Sequence, residues 1–144
     1  MKFTEILNLF KQGKSHAHSH IKNLIEIAAA DGNFDDVEYS LLKKIAKKHG
    51  ISESKLKDIK NNPETVEFEI PEKAEEKFEQ FYDLVHMMIV DKHIHQEEMK
   101  LCNLFGVKFG FDKNKMDELI KTIQANIENG NSADDTYNRI AWML

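Results

Sequence analysis

Slid against itself by 60 residues, the sequence superimposes without a gap, placing Leu24 on Leu84, Asp31 on Asp91, Glu38 on Glu98, Leu41 on Leu101 and Gly50 on Gly110. Apolar positions follow the same offset: Ile21 meets Phe81, Ile25 meets Val85, Ile45 meets Phe105, Ile51 meets Phe111, Leu56 meets Met116 and Ile59 meets Leu119. Each copy reads as helix, tight turn, helix, glycine, capped helix. A three-helix unit cannot bury its apolar stripe alone, so the repeat predicts two units packed face to face about a pseudo-twofold. The expected division of the single domain 1–144 is repeat one at about 20–62, a connector at 63–71, repeat two at about 72–128, and a C-terminal helix at 132–143.

Local signals fill in this frame. Phe3, Ile6, Leu7 and Phe10 make a short amphipathic segment that stops near Gly13. Ile21, Leu24, Ile25, Ala28 and Ala29 have the spacing of a buried helical stripe, and Val37, Leu41, Leu42, Ile45 and Ala46 continue as a second one. Asp35 and Glu38 are spaced as a capping box, and Ser52 and Asp112 are N-cap residues for later helices. The alternation of Val66, Phe68 and Ile70 suggests a strand, but no second strand-like segment exists to pair with it, so it reads as an extended connector with apolar anchors. Pro71 can open the next helix, whose stripe of Phe78, Phe81, Tyr82, Val85, Met88 and Ile89 is the most apolar in the chain. Tyr137, Ile140, Ala141 and Leu144 form the last stripe, with Trp142 at its border. With 6 Gly and 2 Pro in 144 residues there are too few turn-formers for a many-stranded sheet. The fold class is therefore all-α, a bundle of seven or eight helices.

Composition narrows the partners. A net charge of −5 does not invite a phosphate backbone, so no nucleic acid is expected. The longest apolar run, Leu84–Val90, is interrupted by His86 and falls far short of the roughly 20 residues of a membrane span. The one cysteine, Cys102, excludes an internal disulfide and a Cys-rich zinc site, and beside Leu101 and Phe105 it reads as a small hydrophobe. Glu5 and Asn8 interrupt what would be the apolar core of a signal peptide, so a cytoplasmic location is expected. The lysine pairs at 43–44 and 47–48 read as a solvated helix face.

The segment Ile27–Glu38, containing Asp31-Gly32-Asn33-Phe34, together with Ile45–Ser52, resembles the signature of the TerB-like tellurite-resistance family. The second copy, Met88–Glu98, lies where that family repeats the motif, with Lys92 in place of the turn glycine and His95 where an acid is common. The resemblance extends over roughly residues 15–127. It implies an all-helical fold of two related three-helix units, a divalent-metal site built from acidic residues, and a stress or tellurite-resistance context.

The residues themselves carry a related but separate signal. Asp31, Asp35, Asp36 and Glu38 place four carboxylates around one turn, the oxygen-rich chemistry that suits Ca²⁺ or Mg²⁺. A standard EF-hand is rejected, because its first and third positions would be Ile27 and Ala29. The same acids also serve as helix caps, and both readings stay open. In the second copy Asp91 and Glu98 keep their places, and His86, His93 and His95 add nitrogen donors that would suit Zn²⁺. Turn histidines are also commonly exposed and incidental. His16 and His20 share a helix face, although a place in the core beside Leu24 is the more usual fate of a histidine such as His20, and Met87 next to His86 is a candidate for a partner groove.

Three functions follow as expectations. The first is a non-enzymatic module binding a divalent cation, a protein partner, or both. The second is a metal-assisted hydrolase using the carboxylates with His86, His93 and His95. The third is a structural scaffold that self-associates as a homodimer, which would present a large apolar patch.

Overall fold

The computed structural model describes residues 18–29, 36–62, 66, 69–90 and 95–144. Among these every regular element is helical. α1 covers residues 18–29, α2 is Asp36–Lys48, α3 Glu53–Asn61, α4 Ala74–Ile89, α5 Gln96–Lys108, α6 Met116–Glu128 and α7 Ala133–Ile140. Single 3₁₀ turns at Lys113–Lys115 and Ala141–Met143 precede α6 and follow α7. The segment at Phe3–Phe10 lies outside the described residues.

α4 is the axle of the fold, in contact with α2, α5, α6 and α7. Its sequence explains why: Phe78, Phe81, Tyr82, Leu84, Val85, Met87 and Met88 are all buried, leaving little apolar surface uncovered on any side. Burying one such side chain stabilises the fold by about 1.5–3 kcal/mol. Met87 is 1% exposed, so it belongs to the core and not to a partner groove. The helix begins at Ala74, with Lys73 as N-cap, three residues later than Pro71 suggests. Pro71 is itself buried, in the non-helical segment that precedes the bends at 72–73.

The buried stripe of α2 is Glu38, Leu42, Ile45 and Ala46, and that of α5 is Glu98, Cys102, Phe105 and Gly106, position for position 60 residues on. This phase differs from the expected one at a single point: Val37 is 50% exposed, and the glutamate beside it turns inward. Both helices end alike. Gly50 and Gly110 adopt φ of 74° and 95°, a region open to glycine at little cost. Beyond them Ile51 N–H donates to Ala46 O at 2.8 Å and Phe111 N–H donates to Gly106 O at 3.1 Å, the six-residue bond of a Schellman cap. Ser52 then caps α3 by accepting from Lys55 N. Asp112 accepts from Asn114 N, starting a 3₁₀ turn before α6.

The connector is held by polar groups as much as by apolar ones. Glu69 N–H donates to Ser19 Oγ at 2.8 Å and Lys22 Nζ donates to Val66 O at 2.6 Å, so α1 supplies partners for backbone groups of the connector at residues 66 and 69. Val66 packs against the core, Ile70 is 39% exposed, and Phe68 lies outside the described residues. At the C-terminus the helix tightens to 3₁₀ after Ile140, which ends the phase of the last stripe: Ala133, Thr136 and Ile140 are buried, whereas Ala141, Trp142 and Leu144 are exposed.

Candidate functional site

Of the carboxylates and histidines singled out in the sequence, His16, Asp31, Asp35, Asp91 and His93 lie outside the described residues. Asp36 opens α2 and is exposed. Glu38 and Glu98 stand in the first turns of α2 and α5, each only 1% exposed. At that end of a helix the backbone N–H groups and the macrodipole favour an anion. His95 is the N-cap residue of α5 and is half-buried, with no side-chain capping bond. His86 packs edge-on against Tyr82 at 6.1 Å, and burial holds its imidazole below the usual histidine range, partly offset by nearby Asp83. Among the described residues, His86, His95, Glu38 and Glu98 are not brought together into a metal-capable cluster.

A different set is brought together. His20 of α1, His49 just after α2 and Asp83 of α4 each offer a ligand atom within 4.8 Å of the other two. His20 Nε2 lies 2.9 Å from Asp83 Oδ2. The rings of His20 and His49 meet edge to face at 5.5 Å and 84°. His20 is fully buried and Asp83 is 6% exposed; His49 is half-buried. One nitrogen of each imidazole is left over: among the described residues His20 Nδ1 and His49 Nε2 are buried without a hydrogen-bond partner. Burial lowers the affinity of His49 for a proton, and the neighbouring His20 lowers it further. At the rim Lys48 Nζ pairs with Glu79 Oε1 at 2.6 Å, and that hydrogen bond raises the lysine's pKa against the effect of burial.

Each member comes from its own local logic. His20 occupies the buried phase of α1 with Ile21 and Leu24. His49 precedes the left-handed Gly50, where the chain leaves α2. Asp83 interrupts the most apolar helix, and a charge in such a stripe is almost never buried without a partner. That was the signal available in the sequence. His20 suits the core by its place beside Leu24, but nothing local connects it to positions 49 and 83.

The family of tellurite resistance protein TerB matches residues 1–61. Over that stretch the chain is TerB-like. The TerB-like match ends with α3 and therefore includes His20, Glu38 and His49, whereas Asp83 and Glu98 lie beyond it. The all-helical architecture agrees with the TerB-like fold. Among the described residues no helix is long and apolar enough to cross a membrane. No curated protein and no solved structure matches the chain significantly.

Proposed function

We propose that this TerB-like chain is a non-enzymatic, cytoplasmic binding module of the tellurite-resistance type, holding a divalent cation at the turns before α2 and α5. The observation that carries the reading is the burial of Glu38 and Glu98, 60 residues apart and each 1% exposed. In the sequence Asp31 and Asp35 shortly precede Glu38, and Asp91 shortly precedes Glu98, an oxygen-rich set suited to Ca²⁺ or Mg²⁺. Ca²⁺, Mg²⁺, Mn²⁺ and Zn²⁺ titrations followed by amide spectra and melting temperature test it. Saturable shifts that disappear in the Asp31→Ala, Glu38→Ala double variant support the proposal. Spectra unchanged by Ca²⁺ and Mg²⁺, or shifts with these two ions that survive the double variant, overturn it.

A second reading, self-association, is favoured by Leu104 and Val107, which are 48% and 42% exposed one turn apart on α5. Sedimentation over a wide concentration range tests it. A dimer lost in Leu104→Glu supports the reading, and a monomer throughout removes it.

A further inference from the structure

We propose that His20, His49 and Asp83 hold a divalent transition metal, with zinc as the reference ion, in a site separate from the turn carboxylates. Two imidazoles and one carboxylate are a ligand set that zinc accepts with a fourth position left for water, and one that Ca²⁺ and Mg²⁺, which prefer oxygen throughout, do not. The groups already converge: ligand atoms lie within 4.8 Å, and His20 Nε2 and Asp83 Oδ2 are 2.9 Å apart. Zinc bonds of about 2.0–2.1 Å draw tetrahedral ligand atoms to roughly 3.3 Å from one another. Side-chain rotation at half-buried His49 covers that difference.

Two further observations favour a ligand over a merely structural cluster. First, the cluster is unsatisfied as it stands, since His49 Nε2 is buried without a partner among the described residues, and an unmade buried hydrogen bond is costly. Second, packing does not require these residue types. The positions 60 residues away along the chain are Gln80, Phe109 and Asn23, all buried and none able to ionise. The fold accepts a neutral trio at the corresponding places, whereas this one collects two imidazoles and an acid from three helical segments.

The test uses the full-length, untagged chain with Co²⁺ as a spectroscopic probe and Zn²⁺ as competitor. The expected result is one Co²⁺ per chain at this site, with the intense visible bands of a four- or five-coordinate ion. Those bands should be displaced by stoichiometric Zn²⁺ and unaffected by excess Ca²⁺. His49→Ala and Asp83→Asn should each weaken zinc binding by roughly a hundredfold or more, given that even outer-shell changes cost 10–100-fold. His16→Ala, His18→Ala and Glu38→Gln should leave the bands intact. His49 is half-buried, so its variant keeps the fold, as circular dichroism should verify, even where Asp83→Asn does not. Absence of the bands overturns the proposal, as does zinc affinity unchanged in His49→Ala. Because the turn site is read through Ca²⁺ and Glu38, either site can fail while the other stands.

Discussion

Met116 lies directly over Gly106: a Cβ on that glycine would stand 2.6 Å from both Sδ and Cε of the methionine and 2.9 Å from Phe81 Cε2. The absence of a side chain on α5 is what allows the start of α6 and the centre of α4 to approach. Gly106→Ala therefore sets helix propensity, which favours alanine by about 1 kcal/mol, against overpacking, which costs about 1–3 kcal/mol. The methionine is a flexible chain end, but Phe81 is fully buried and cannot retreat. Net destabilisation of roughly 1 kcal/mol is expected, read as a lower urea midpoint at unchanged m-value.

Tyr82 fastens the C-terminal part of the chain to α4. Its hydroxyl donates to Asn131 O at 2.5 Å, next to the Ser132 cap of α7. Tyr82→Phe should cost about 1 kcal/mol and should speed amide exchange in α7 more than in α2 or α3.

Ser52 and Ser132 each accept a backbone N–H three residues on, from Lys55 and Asp135. Replacing either with alanine should lower stability by about 1 kcal/mol, and replacing it with glycine by a few tenths. Thermal melts of the four variants check the ranking.

Cys102 is fully buried, and burial pushes its thiol up to about 12, with Glu98 contributing in the same direction. At pH 8 roughly one folded molecule in ten thousand carries the thiolate. A thiol reagent such as DTNB should therefore label the native chain only as fast as it opens, and label it at once in guanidinium chloride. The sign of the linkage follows: the unfolded thiol ionises first, so this group's contribution is intact below pH 9 and is lost as pH rises toward 12. Cys102→Ala should show a shallower fall in stability across that window.

Much of the architecture was legible in the sequence because it is written locally. Ser52 and Asp112 announce their caps, Gly50 and Gly110 their chain reversals, and the spacing of α4 its central place. The phase of α2 was less legible, since Val37 and Glu38 are neighbours and hydrophobicity alone turns the wrong one inward. The expected acidic turn can be followed only through Asp36, Glu38 and Glu98, because Asp31, Asp35 and Asp91 lie outside the described residues. The histidine cluster was legible only as an acid, Asp83, in an apolar stripe, and not as a cluster. His20 and Asp83 are 63 positions apart, and no periodicity links residues on two helices that meet only after folding.

That pairing has a consequence for how α1 is seated. Its apolar face, Ile21, Leu24, Ile25 and Ala28, repeats nearly every turn, so sliding the helix by one turn, about 5.4 Å, would bury similar hydrocarbon. Such a slip would strand the carboxylate of Asp83 opposite aliphatic carbon and remove His20 from its acceptor, at the cost of an unpaired buried charge. The two polar residues thus act as an indexing pin, lifting a near-degeneracy that hydrophobic contact alone would leave in place.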